Sequence, residues 1–195
     1  MSALLHSAFA GLLALIFASP ALDIQLQHND EDREQKTKVQ LEKILQEHDL
    51  SKWTFTRKVV IAARVPPHSH PVLTLSTRHF DSDDLLLSTY VHEQLHWWLD
   101  ANPERLKKAE DALRKMYPKV PVGNPDGGDS EESTYMHLVD CYLELQADRA
   151  LMGQSRTNDV MKFWKGDHYR WIYKTLMDDE PKIAKVVRKN HLEVK

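Results

Sequence analysis

Apolar residues recur every three or four positions along most of the chain after residue 83, and this spacing is typical of amphipathic helices. Prolines and glycines interrupt the pattern at a few places, where they mark helix ends. The pattern predicts helices over residues 83–99, 103–117, 131–152, 157–164, 167–177 and 181–189. A further helix, predicted over residues 29–49, carries a narrow apolar stripe that includes Val39, Leu41 and Ile44.

Two segments ahead of residue 83 have the pattern of β-strands. Residues 53–65 are rich in β-branched and aromatic side chains and end at Pro66 and Pro67, and residues 71–77 form a second, shorter candidate. Residues 118–130 contain three prolines and three glycines and predict a long exposed loop. We therefore expect an α+β fold, in which a small N-terminal sheet of a few strands is followed by a mostly helical domain.

Composition excludes several classes of protein. With 42% hydrophobic and 28% charged residues in 195, the chain is neither collagen-like nor wholly disordered. A formal net charge of -3 provides no basic field that would attract nucleic acid. Cys141 is the single cysteine, which excludes an intramolecular disulfide and a Cys-rich metal site, and its apolar surroundings in the sequence predict burial. Trp97 and Trp98 are also expected in the core.

The first 21 residues have the pattern of a targeting segment. They contain no Lys, Arg, Asp or Glu, and an apolar run over residues 8–18 precedes Ser19 and Ala21, the small residues that signal peptidases require. We predict a signal peptide over residues 1–21, a single domain over residues 22–195, and export to the periplasm or the outside of the cell. The apolar run is too short to span a bilayer comfortably. An uncleaved anchor and an ordinary buried helix are the alternatives.

The candidate chemistry is concentrated in His92-Glu93-Gln94-Leu95-His96, within the helix predicted over residues 83–99. Four residues advance a helix by about 400°, so His92 and His96 project from one face, one turn apart. Two imidazoles placed in this way can occupy adjacent positions around a tetrahedral zinc ion. Glu93 is rotated by about 100° and is placed to act on water beside the metal as a general base.

This HExxH pattern resembles the zincin superfamily of metallopeptidases. The resemblance implies a zinc-dependent peptidase that acts on a peptide or protein substrate, with His92 and His96 as ligands and Glu93 as the general base. The residues after His96 lack the extension of the metzincin branch. In the gluzincin branch a Glu on a later helix is the third ligand, and an Asp four residues on supports a ligand histidine; Glu144 and Asp148 have this spacing. Leu143 stands where that branch usually has Asn, so the match is partial.

Other positions keep alternatives open. His137 lies two turns before Glu144 on the same helix face and is a rival third ligand; it could instead pair with Asp140. The resemblance also implies an oxyanion donor late in the chain, for which the candidates are His168 and Tyr169, and an edge strand over residues 73–77 that pairs with extended substrate.

Two other functions share these residues. A metal-binding assembly or chaperone module without turnover would keep the histidines, although Glu93 has no purpose in a purely structural site. A zinc hydrolase of non-peptide amides would use every residue named above. The sequence gives no indication of the oligomeric state or of the cleavage preference.

Overall fold

The structure of the protein is a computed structural model that describes residues 21–195. The signal peptide predicted over residues 1–21 therefore lies outside the described residues except for its last position, and its prediction stays untested. In chain order the elements are β1 (Asp23–Leu26), α1 (Glu31–Glu47), β2 (Lys58–Ala62), β3 (Leu73–Ser76), α2 (Asp83–Asp100), α3 (Pro103–Met116), α4 (Glu131–Met152), α5 (Gln154–Asp167) and α6 (Arg170–Lys189).

The expected α+β fold is confirmed. The three strands form a parallel sheet in the order β1-β2-β3, so β1 and β3 are its edges, and six helices account for most of the described chain. Val59 and Ile61 of the central strand β2 and Leu73 and Leu75 of the edge strand β3 are buried, so both strands contribute to the core. Strand β1 was not predicted, because four residues with alternating exposure give too short a pattern to stand out.

The second strand is shorter than the predicted segment 53–65, and Gln94 of α2 accounts for the difference. Its side-chain carbonyl accepts the backbone N–H groups of Phe55 and Thr56, at 2.7 and 2.8 Å, and its amide group donates to the carbonyl of Thr56. A buried glutamine thus takes the hydrogen bonds that a neighbouring strand would have made. The strand begins at Lys58, beyond this contact.

Helix α1 buries the predicted apolar stripe only in part. Leu41 and Ile44 are buried as expected, whereas Val39 is 55% exposed. The buried face continues instead through polar residues, above all Glu34, whose carboxylate accepts four backbone N–H groups from the segment around it and from the end of β2. Hydrogen bonding compensates the burial of this charge, which an apolar pattern cannot reveal.

The helical half packs around α4, which contacts α2, α3, α5 and α6. Fully buried side chains such as Leu95, Val139 and Ile172 fill these contacts, and each contributes about 1.5–3 kcal/mol by leaving water. The helices predicted over residues 167–177 and 181–189 are one helix, α6, with a kink at Asp179. Within residues 21–195, no helix is both long and apolar enough to cross a membrane.

Candidate metal centre

Helix α2 presents the HExxH residues as its period requires. Ser82 caps the helix, and Asp83 and Asp84 lie in its first turn, where negative charge is favourable. The rings of His92 and His96 have their centroids 5.1 Å apart on one face of the helix. The spacing of the two candidate ligands is therefore as predicted.

Helix α4 faces this side of α2 and runs in the opposite direction. Ser88 of α2 contacts Glu144 of α4, with 2.5 Å between Ser88 Oγ and Glu144 Oε1, and one turn further along α2 the ring of His92 contacts Asp140 and Glu144. At the next turn, the ring centroid of His96 lies 5.2 Å from that of His137, which is nearer the start of α4. Along this contact the residue numbers of α2 increase while those of α4 decrease, so the two helices are antiparallel.

This register brings three histidines together. His92, His96 and His137 each offer one ring nitrogen, and the three nitrogens lie within 4.8 Å of one another. His92 and His137 are buried and His96 is partly buried. Three imidazoles at such distances are a ligand set that suits zinc with one position left open.

The partners of two of these rings fix which nitrogen remains for a metal. His92 Nδ1 lies 2.9 Å from Asp140 Oδ2 and donates a hydrogen bond of 3.1 Å to Glu144 Oε2. His137 Nδ1 donates to the carbonyl oxygen of Ser133 at 2.6 Å. In both rings Nε2 is left to bind a metal, which is the arrangement that metal-binding histidines generally show. Asp140 thus pairs with His92, and His137 bonds to Ser133 instead of to Asp140, which was the alternative left open for it.

Glu144 belongs to a second group of possible ligands, with His92 and Cys141. Its carboxylate is already engaged: Oε1 accepts from the Ser88 hydroxyl, and Oε2 accepts from the Tyr173 hydroxyl at 2.8 Å as well as from His92. Glu144 stays a candidate ligand, but these contacts suit a residue that orients His92. Cys141 is buried, as predicted, and burial raises the pKa of its thiol to about 12.

Asp148 was expected to support a ligand histidine. It lies on α4 one turn beyond Glu144, on the side away from His137. It is fully buried, and burial together with the charge of Glu144 raises the pKa of its carboxyl well above the usual value. The carboxylate that supports His92 is that of Asp140, four residues before Glu144 instead of four after it. Sequence spacing had no means of indicating Asp140, because its role depends on the direction of α4.

The charges around the three histidines favour a bound cation. Burial opposes protonation of all three rings; it lowers the pKa of His96, and that of His137 to about 3, so these rings are neutral. At His92 the nearby charge of Asp140 outweighs burial and raises the pKa well above its usual value. Beyond its 2.9 Å contact with His92 Nδ1, the buried carboxylate of Asp140 has no hydrogen-bond partner among the described residues. A site with buried carboxylates and two neutral imidazoles fits a metal dication.

Glu93 lies beside this cluster and is 5% exposed. Burial, reinforced by the charges of Asp140 and Glu144, raises the pKa of its carboxyl to about 7. No hydrogen bond within residues 21–195 involves its side chain, so the carboxylate is available to a ligand in the cleft. A carboxyl with a pKa near neutrality can both accept and release a proton.

These residues open into one cleft of about 690 Å³, whose walls come from α2, α4, α5, the start of α6 and two loops. Tyr169, at the start of α6, lies over the cluster with its ring centroid 4.3 Å from that of His137. Its backbone is left-handed, with φ 48° and ψ 38°, and the following N–H groups of Arg170 and Trp171 donate to the carbonyls of Pro125 and Asp126. The loop of residues 118–130 therefore holds Tyr169 in place despite a strain of about 1–2 kcal/mol.

His168 also lines the cleft, but its contacts differ from those of Tyr169. Its Nδ1 donates to Asp167 at 2.9 Å, and burial lowers the pKa of the ring, so the second nitrogen carries no proton and is an acceptor. Burial raises the pKa of Tyr169 to about 12, and its hydroxyl remains a donor at neutral pH. The two predicted oxyanion donors are thus both in the cleft, and one is in the donor form.

Comparisons with protein-family models, with curated proteins and with solved structures found no match for this chain. Within the described part of the chain, buried groups of His, Cys and Glu that could hold a metal ion are present.

Proposed function

We propose that this protein is a zinc-dependent hydrolase that cleaves peptide bonds, and that His92, His96 and His137 hold the metal. The observation that carries the proposal is the convergence of three ring nitrogens within 4.8 Å, with Glu93 beside them in the same cleft. The proposal keeps the zincin resemblance for the HExxH helix and replaces Glu144 by His137 as the third ligand.

The residues present fit zinc better than a harder cation. Neutral imidazole is a preferred ligand of zinc, whereas Mg²⁺ and Ca²⁺ prefer oxygen ligands. When bound, the ion supplies Lewis acidity, which polarises a substrate carbonyl and makes water a stronger nucleophile. Asp140 and Glu144 hold His92 in one orientation and one tautomer, so its Nε2 is presented to the cleft before any metal arrives.

Glu93 has the role of general base. Its carboxylate takes a proton from the attacking water and passes it to the amine that leaves when the C–N bond of the substrate breaks. The pKa of about 7 matches both transfers, since neither direction is then strongly uphill at neutral pH. A site that only stored metal would gain nothing from a buried carboxylate here, because burial of a charge carries a cost in free energy.

Tyr169 has the role of hydrogen-bond donor to the oxygen that becomes negative as water attacks. Its hydroxyl keeps its proton at neutral pH, and the strained backbone at this position shows that the surrounding structure fixes the side chain over the histidines. A donor that is already in place needs no reorganisation during the reaction.

The test combines metal analysis with a digest of a broad peptide library. Purified protein should hold about one zinc ion per chain, and Glu93→Gln should keep the metal while lowering turnover at least ~10²-fold. Glu104→Gln, on the exposed face of α3, is the matched control and should behave like the native protein. Native turnover by Glu93→Gln would exclude this mechanism, and an absence of bound zinc in the native protein would exclude the metal assignment.

A further inference from the structure

The segment of residues 66–71, which we call the strap, crosses the open edge of β3 at the mouth of the cleft. Pro66, Pro67, His68 and Ser69 line the same cleft as Glu93 and the histidines. None of the six strap residues is buried, so no apolar side chain anchors the segment. The segment is therefore held by a small number of contacts near the surface.

The strap occupies the hydrogen-bonding groups of the sheet edge. The N–H of His68 donates to the carbonyl of Thr74 at 3.1 Å, and the N–H of Thr74 donates to the carbonyl of His68 at 2.8 Å, as in an antiparallel strand pair. The backbone N–H and C=O groups of every second residue of β3 point away from β2 and toward this edge. After Thr74, the next residue whose backbone groups point toward the edge is Ser76, which also lines the cleft. An extended peptide that added to this edge would meet the strap at Thr74.

The other end of the strap is fastened to the last turns of α2. Trp97 Nε1 donates to the carbonyl of Ser69 at 3.0 Å, the His70 ring stacks on Trp97 with centroids 4.3 Å apart, and His70 Nε2 lies 3.0 Å from Asp100 Oδ2. Trp97 is thus half-buried under the strap and not in the core, where the sequence predicted it. Trp97 follows His96 directly, so the fastening and the metal centre share one helix.

Resting on the proposed function, we infer that the strap limits the length of peptide that the cleft accepts. With Thr74 occupied, a substrate backbone can pair with β3 only near Ser76, which allows a short peptide or a chain end to reach Glu93 and excludes a long extended segment. Binding of a longer segment requires the strap to leave the edge, and its exposed contacts make that opening the low-stability motion of this wall. The substrate class is therefore short peptides and the ends of unstructured chains.

The test loosens the strap without touching the histidines or Glu93. Trp97→Phe combined with Asp100→Asn removes the indole donor and the charge that faces His70. The matched control is Trp98→Phe with Asp111→Asn: Trp98 Nε1 donates to the carbonyl of Leu192 instead, and Asp111 pairs with Lys107 on α3. Hydrogen exchange at the Thr74 amide should become about three- to tenfold faster in the first double variant only, the usual effect of losing about one hydrogen bond.

Peptides that extend one sequence from about 4 to about 12 residues, or roughly 13 to 40 Å when extended, then measure the length limit. In the zinc-loaded native protein kcat/KM should fall with length, and the loosened variant should recover the long peptides while cleaving the short ones at the native rate. Equal gains at every length, or an unchanged limit despite faster exchange at Thr74, would overturn the inference.

Binding of the same peptides to Glu93→Gln, followed by calorimetry, separates this inference from the proposed function. If binding is limited by peptide length but the native protein cleaves none of the peptides, the proposed peptidase activity is refuted and the length limit set by the strap is supported. If peptides of every length are cleaved equally well, the peptidase activity is supported and the length limit set by the strap is refuted. If the peptides neither bind nor are cleaved, both are refuted.

Discussion

The identity of the third metal ligand, His137 or Glu144, can be tested by one pair of variants. His137→Ala removes a ring whose nitrogen lies within 4.8 Å of those of His92 and His96. Glu144→Gln keeps the size of a buried side chain and removes only its charge. If the three histidines bind zinc, the first variant should lose the metal and the second should retain it.

The expected difference in affinity follows from the contacts. Four-ligand zinc sites bind with apparent free energies of about 10–16 kcal/mol, or about 2.5–4 kcal/mol for each ligand, so loss of His137 should weaken binding by roughly 60- to 700-fold. Loss of an orienting residue costs about 10–100-fold. Glu144→Gln should be at the low end of that range, because Asp140 still lies 2.9 Å from His92 Nδ1 and holds its tautomer.

The assay is competition for zinc with a chelator of known affinity, with thermal unfolding of each metal-free variant as a check on the fold. His168→Ala is the matched control, since His168 lines the same cleft and its Nδ1 is bonded to Asp167; its zinc affinity should be native. Greater loss of zinc in Glu144→Gln than in His137→Ala would refute the three-histidine site and restore Glu144 as the third ligand.

Two further predictions concern the cleft and the fold. Tyr169→Phe should lower kcat and kcat/KM together by about 10²–10³-fold with KM and zinc content unchanged, as measured by steady-state kinetics on a cleaved peptide, whereas an effect on KM alone would contradict the donor role. Glu34→Ala should lower the free energy of unfolding by about 3 kcal/mol in urea at neutral pH, with Glu31→Gln as the control, because four backbone donors lose their acceptor. Burial opposes ionisation of Glu34 but its backbone hydrogen bonds lower the pKa below 4.5, so the difference from native should shrink as pH falls through and below 4.5; a difference independent of pH would refute this account.

Local periodicity was sufficient for the helices and for half of the candidate site. The positions of His92, Glu93 and His96 relative to one another depend only on the 3.6-residue turn, and the structure has the predicted spacing. Strand β1 is the opposite case, because its existence depends on pairing with β2, more than thirty residues away in the sequence. A four-residue strand has no local pattern strong enough to predict that pairing.

Sequence spacing could not decide between the two candidate third ligands, and the reason is physical. His137 and Glu144 lie on one face of α4, and both face α2. Which of them lies beside His96 depends on whether the two helices run parallel or antiparallel. The relative direction of the two helices is set by packing of the whole helical half, and the residue pattern within either helix does not predict it.

Buried polar residues were the other features that the sequence could not reveal. Glu34 and Gln94 are both fully buried, and each accepts backbone N–H groups that have no strand partner. A pattern that assigns polar residues to the surface places both of them outside. In each case a nearby segment has backbone N–H groups without a backbone partner, and such a segment indicates that a polar side chain is buried beside it.

The two ends of the antiparallel contact between α2 and α4 differ in their surroundings. At one end, Trp164 Nε1 donates to Ser88, and Ser88 donates to Glu144, in a set of buried hydrogen bonds. At the other end, His96 opens into the cleft. His92 lies between them, with Nδ1 toward Asp140 and Glu144 and Nε2 toward the cleft. Because buried contacts fix the ring, a metal ion that bound at the open end would meet a ligand that is already oriented. The ring would then lose its rotamer entropy during folding and not during metal binding.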